Sequence, residues 1–163
     1  ESDVRPMGRT ATGVIGVRLS KKHKNDEVVG MVSVHDPEIT ILTVSENGYG
    51  KRSSFEDYRK TKRGGKGVRT LSITDKTGEL IALKSVTDEN DLMIINRSGI
   101  LIRISVSNLR TMGRATQGVK LINLGDKDKI AAVAKVEIEE DAELEGDESN
   151  EENESEQEES SDN

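Results

Sequence analysis

The chain has no cysteine, only two prolines and only three aromatic residues among its 163 positions. Without cysteine there is no disulfide framework and no thiolate zinc site. With Tyr49, Phe55 and Tyr58 as its whole aromatic complement, it lacks the anchors that protein-binding scaffolds concentrate at hot spots. No stretch approaches the ~18 apolar residues of a membrane span. No secretory signal opens the chain, and its first residue is Glu1 rather than Met, so we expect a piece of a longer protein. The two histidines, His23 and His35, have no carboxylate or second histidine at ligand spacing and read as surface residues. No acid–base pair or activated nucleophile stands out, which argues against a stand-alone enzyme.

Lysine and arginine are missing from one end altogether. Residues 137–163 hold fifteen Asp or Glu and no basic residue, a charge of −15. All 24 basic residues lie in 1–136 with sixteen acids, so the body carries about +8 and the overall −7 hides the asymmetry. A basic body suggests a polyanionic partner. The tail is too polar and too uniformly charged to repay its ordering entropy, so the expected organisation is a folded domain over 1–136 and a disordered acidic tail over 137–163. A flexible −15 segment tethered to a +8 body is held near it at high effective concentration and should compete with that partner.

What the body does have is a repeat. Gly48, Arg52, Arg59 and Gly67 recur as Gly99, Arg103, Arg110 and Gly118, each offset by 51. A further partial copy, Arg5-Pro6-Met7-Gly8-Arg9-Thr10-Ala11-Thr12-Gly13-Val14, matches Arg110-Thr111-Met112-Gly113-Arg114-Ala115-Thr116-Gln117-Gly118-Val119. Units of this length, rich in short apolar runs and glycine turns, signal propeller-like blades. Matching basic residues in each copy point to an extended binding surface rather than one catalytic pocket.

Short runs rich in Val, Ile and Leu predict strands over 14–19, 28–34, 39–44, 67–73, 80–86, 92–95, 100–104, 119–124 and 130–136. Asn47-Gly48 predicts a two-residue hairpin turn, with Ser98-Gly99 in the same place one repeat later and a third turn at Asp75-Lys76-Thr77-Gly78. Residues 54–59 and 106–109 have room for a helical turn each. No longer stretch keeps helical apolar spacing, so the body is expected to be all-β, with about four strands per repeat. Two full copies and a partial third do not close a ring, and further blades are expected upstream.

The densest basic cluster is Arg59-Lys60-Thr61-Lys62-Arg63-Gly64-Gly65-Lys66-Gly67. Over 51–69, eight basic residues face two acids, Glu56 and Asp57. Adjacent glycines let backbone approach a phosphate, and flanking Arg and Lys neutralise it. The bland alternative, a solvated loop, is weakened because the equivalent loops 5–12 and 110–117 are also basic and carry glycine. Gly48-Tyr49-Gly50-Lys51-Arg52-Ser53 fails the nucleotide-binding phosphate-loop pattern, because Arg52 follows Lys51 and no glycine stands at 45. Tyr49 and Tyr58 occupy the places of Ile100 and Leu109 and read as packing residues. Asn96-Arg97-Ser98 and Asn153-Glu154-Ser155 are chance glycosylation matches in the absence of a secretory signal.

Residues 4–14, 47–52 and 113–119 closely resemble the last blades of the C-terminal domain found in the A chain of bacterial DNA gyrase, a type IIA DNA topoisomerase. The resemblance runs over about 4–136. It implies a β-pinwheel, a propeller-like disc that binds double-stranded DNA and bends it around its rim, supporting ATP-dependent negative supercoiling by the holoenzyme. It also implies as partners the rest of the gyrase A chain and the gyrase B chain in an A2B2 heterotetramer, with ATP and Mg in the holoenzyme, none in this stretch, and a cytoplasmic, nucleoid-associated setting. No position here matches the family's catalytic tyrosine, so this stretch holds no catalytic residue. Thr61-Lys62-Arg63-Gly64-Gly65-Lys66-Gly67 resembles the family's Q-R-R-G-G-[RK]-G box, with Thr61 for Gln and Lys62 for Arg. That box lies on the family's first blade. The flanks here resemble the next-to-last, so the segment is read as a degenerate copy in the corresponding loop.

The candidate phosphate contacts are Arg5, Arg9, Lys51, Arg52, Lys62, Arg63, Lys66, Arg103, Arg110 and Arg114. The candidate turn glycines are Gly13, Gly48, Gly67, Gly99 and Gly118. Two alternatives stay open: the paralogous C-terminal domain of topoisomerase IV, which serves relaxation and decatenation, and a protein-interaction propeller with no nucleic-acid role.

Overall fold

A computed structural model describes residues 5–21, 26–36 and 38–137. The expected acidic tail, apart from Glu137, and His23 lie outside the described residues. Seven strands form: β1 Thr40–Ser45, β2 Tyr49–Ser54, β3 Leu80–Val86, β4 Asn90–Asn96, β5 Leu101–Ser105, β6 Val119–Lys120 and β7 Ile130–Glu137. Single 3₁₀ turns follow β2 at Phe55–Asp57 and β5 at Val106–Asn108, where helical turns were expected. No α-helix occurs among the described residues.

The strands make two antiparallel sheets, ordered β3-β1-β2-β6 and β5-β4-β7. The 51-residue offset carries β1, β2 and β3 onto β4, β5 and β7. It also carries a register shift between Val44 and Ser45 onto one between Ile95 and Asn96. Each sheet is therefore one blade built from one repeat, with a difference at the edge. The first sheet takes its fourth strand, β6, from the following repeat, through Tyr49↔Lys120 and Gly50↔Val119. Consecutive repeats are stitched together by that loan.

Leu42, Val44, Ala82, Val86, Leu92, Ile94, Val106, Ile122, Ile130 and Val133 form one buried cluster that spans both sheets. Aliphatic side chains alone fill it, which is how so aromatic-poor a chain still closes a core. The β1–β2 hairpin also grips its neighbours by polar contacts. Glu46 N–H donates to the Glu79 carbonyl at 2.9 Å, Ile130 N–H donates to the Glu46 carbonyl at 2.8 Å, and Lys129 Nζ lies 2.6 Å from Glu46 Oε2. The Lys129 ammonium holds the Glu46 carboxyl below the usual carboxylate range.

Three strand expectations fail. Residues 14–19, 28–34 and 67–73 are extended apolar sequence, yet they form no ladder beyond an isolated bridge between Val17 and Gly65. β-propensity describes fit to a pleated, partnered surface, and these segments join neither sheet's ladder, although Gly30 lies against Leu83 of β3. The expected strand over 119–124 pairs only through its first two residues. The hairpin turn also differs. Lys127 is the one described non-glycine with positive φ, so Asn47 does not take the left-handed geometry a two-residue type I′ turn needs. Gly48 N–H instead donates to the Ser45 carbonyl at 3.2 Å, and Gly48, at φ +84°, absorbs the reversal as the last residue of a longer loop. Gly99 repeats this against Asn96 at 3.1 Å.

Candidate nucleic-acid interface

The basic loop 112–117 is pinched off by β2. On entry, Thr111 bridges Arg52 and Met112 N–H donates to the Arg52 carbonyl at 2.8 Å. On exit, Gly118 leads into β6 beside Gly50 and Tyr49. The closure is tight. A Cβ on Gly118 would sit 2.4 Å from the Gly50 carbonyl oxygen, and φ there is +82°. Only glycine meets both conditions. Gly118→Ala is expected to destabilise the fold by about 3 kcal/mol through left-handed strain and backbone clash. Urea unfolding monitored by circular dichroism measures this directly, and a midpoint equal to the parent's would mean the loop closes some other way.

Each basic loop docks on the segment that follows the preceding loop. Loop 59–67 reaches residues 16–18: Gly64 N–H donates to Gly16 O at 2.8 Å, and Arg18 N–H donates to Gly65 O at 2.9 Å. One blade on, Ser72 N–H donates to Thr116 O at 3.1 Å and Arg114 Nη1 to Arg69 O at 2.7 Å. Arg18 stands five residues beyond Gly13, and Ser72 five beyond Gly67. The contacts are one contact made twice. They string loops 5–13, 59–67 and 110–118 in series, which no single loop's sequence reveals.

Arg5, Arg9, Lys62, Arg63, Lys66 and Arg110 are exposed and make no ion pair among the described residues. Arg114 is half-buried, with one guanidinium nitrogen spent on the Arg69 carbonyl. Arg103 is exposed but paired, its Nε 2.5 Å from Asp91 Oδ2. The glycines at 13, 48, 67, 99 and 118 all have positive φ, between +76° and +90°. Sequence reasoning misses Arg18. Its Nε donates to Gly64 O at 2.8 Å and ties the second loop to the first, and the signal for it is its place after Gly13.

Two candidates need correction. Lys51 and Arg52 were expected to meet phosphate, but Lys51 is fully buried and Arg52 is 9% exposed. Arg52 Nη1 forms an ion pair with Asp88. Lys51 Nζ donates to the Gly113 carbonyl at 2.6 Å. One face of β2 meets the core and the other is roofed by the incoming loop, so Lys51 is shut off from solvent and Arg52 keeps only a small exposed part beside Asp88. Burial pushes the Lys51 ammonium down to about 8; nearby Asp57 opposes this and nearby Arg114 adds to it. His35 is tied to Ser33, its Nε2 2.9 Å from Ser33 Oγ.

A family model described as the DNA gyrase C-terminal domain, β-propeller, matches residues 1–35, 40–87 and 90–137, one segment for each repeat. The chain belongs to the DNA gyrase C-terminal domain family. The DNA gyrase A protein of Staphylococcus aureus strain MRSA252 is 47% identical over 146 residues, and that of strain NCTC 8325 / PS 47 is 49% identical. Each match covers 89% of this chain and 16% of the relative, so the chain spans about a sixth of those proteins. Among solved structures, a DNA gyrase A C-terminal domain superposes with a TM-score of 0.70 at 28% identity, covering 82% of this chain and 44% of that one. A topoisomerase IV C-terminal domain superposes with a TM-score of 0.73 at 21% identity, covering 83% and 42%, which speaks for the fold alone. The two sheets are thus blades of the gyrase-type β-propeller, the all-β β-pinwheel architecture expected from the repeat.

Proposed function

We propose that this segment binds duplex DNA by its phosphates and, within the gyrase A protein, wraps it to support ATP-dependent negative supercoiling. The observation that carries this reading is the serial arrangement of three basic, glycine-bearing loops. Each is fixed to the next by the same backbone contact, and all their candidate cations but Arg114 are left exposed. Phosphate contacts of this kind position a duplex without reading its sequence, and a row of them favours DNA that bends to follow it. The working partners are the rest of the gyrase A protein and the gyrase B protein, and ATP and Mg belong to those parts. The setting is the bacterial cytoplasm, at the nucleoid. Gyrase is favoured over topoisomerase IV by the 47–49% identity to gyrase A proteins. Exposed Arg and Lys in every loop favour DNA over a protein partner.

Six exposed, unpaired candidate cations give an expected slope of log affinity against log salt of about −5, at roughly 0.9 per phosphate. A titration of one short and one long duplex over salt tests it. A slope near zero on both would sink the DNA reading. Removing residues 138–163 is expected to raise affinity several-fold at low salt and to leave less difference at high salt, as an anionic competitor requires. Equal affinities for the shortened and full chains would remove the tail from the mechanism.

A further inference from the structure

Lys51 is a buried cation that the phosphate-binding reading cannot use. The equivalent position in the next repeat is Ile102, so the blade itself does not require a lysine there. What differs is the neighbour. Among the described residues, β2 has a basic loop docked across it and β5 has none. The Lys51 ammonium meets the Gly113 carbonyl at 2.6 Å, and the same oxygen accepts from Thr116 N–H at 3.3 Å and Thr116 Oγ1 at 2.9 Å. Three donors converge on one carbonyl at the base of the loop. Two come from the loop and hold its turn. Lys51 alone among them comes from the blade beneath, and it is the only one that carries charge.

We propose that Lys51 is a positioning residue for the basic loop 112–117, its buried ammonium fixing the Gly113 carbonyl so that Arg114 and its neighbours are held in the row that meets DNA. This rests on the DNA-binding reading. A charge-assisted hydrogen bond is stronger and more directional than a neutral one, and inside the protein water does not compete for it. The Arg114 guanidinium, anchored at the Arg69 carbonyl, also feels the like charge of Lys51. Lys51 therefore sets where the loop sits, and its charge disfavours a closer approach of Arg114. Arg52 complements it at the entry of the loop, offering its carbonyl to Met112 while its side chain is locked to Asp88.

The test uses the full 163-residue chain carrying Lys51→Met, which keeps the length of the stem and removes the donor. Two readouts are needed. Amide hydrogen exchange without DNA is expected to quicken about tenfold over 112–117 and to stay unchanged in β1 and β4. Duplex affinity is expected to fall several-fold. Unchanged exchange in the loop would overturn the proposal whatever the DNA result. Faster exchange with unchanged affinity would overturn it too, since the loop's position would not matter to binding. If the parent chain itself fails to bind duplex, the DNA reading fails; unchanged exchange in the variant would show separately that Lys51 does not hold the loop. Should Lys51→Met not fold, nitrogen NMR of the unaltered chain decides. A slowly exchanging ammonium coupled through its hydrogen bond to Gly113 supports the proposal, and a freely exchanging one overturns it.

Discussion

Replacing Lys62 and Arg63 together by alanine is expected to reduce the salt slope of duplex binding by about 1.8 and to lower affinity near 0.1 M salt by roughly 60-fold, taking one phosphate for each side chain. The structure makes this pair the cleanest test of the row. Both side chains are exposed, and loop 59–67 is held to residues 16–18 by backbone groups, Gly64 N–H to Gly16 O and Arg18 N–H to Gly65 O. The substitutions remove charge and leave the loop's attachment in place, so stability should stay within about 0.5 kcal/mol of the parent. The loss should be the same on unrelated sequences, because phosphate contacts carry no base information. Fluorescence anisotropy at four or five salt concentrations measures the slope. An unchanged slope would take loop 59–67 out of the footprint.

Raising the pH from 8 to 10.5 is expected to stabilise the fold through Lys51 by up to about 3 kcal/mol, the equivalent of lowering its ordinary value of 10.5 to about 8. The sign comes from proton counting. The unfolded chain keeps this proton until pH 10.5, whereas the native state releases it near 8, so between those values the unfolded state binds more protons and stability rises with pH. Below 8 both states are charged and the cost of burying the ammonium is fully present. The groups facing it are the Gly113 carbonyl, Asp57, which favours the charge, and Arg114, which opposes it. The comparison is with Lys51→Met, so that every ionisation common to both chains cancels. Urea unfolding of both chains at pH 7.5 and 10 should show the parent gaining on the variant. At pH 7.5 the variant is expected to be at least as stable as the parent, because an apolar isostere removes a buried charge together with its desolvation cost. A flat difference between the two pH values would show that water reaches the ammonium. The residue is thus expected to lower stability at neutral pH, and the proposed benefit is the holding of the loop.

The sequence by itself determined the repeat and most of its structural consequences. The 51-residue offset located both blades, Gly48 and Gly99 marked both hairpins, and the short polar segments after β2 and β5 marked both 3₁₀ turns. These features are local: a turn needs its glycine where the chain reverses, and that requirement is written in neighbouring residues. The basic loops were legible for the same reason, since charge and glycine content need no partner to be read. Only the tertiary structure decided which cations face solvent. Lys51-Arg52 and Lys62-Arg63 look alike in sequence, yet Lys51 lies under a loop that arrives some sixty residues later and Arg52 is held by Asp88, while the second pair is exposed on loop 59–67. Alternation along a strand assigns a side chain to one face or the other, but it cannot say whether a distant loop covers that face. The same non-locality decided the strands. Val119 and Lys120 pair with the edge of β2, while residues 14–19 and 67–73 join no ladder and bond to basic loops instead, Arg18 N–H to Gly65 O and Ser72 N–H to Thr116 O. Backbone hydrogen bonds need a partner in space, and folding, not composition, supplies it.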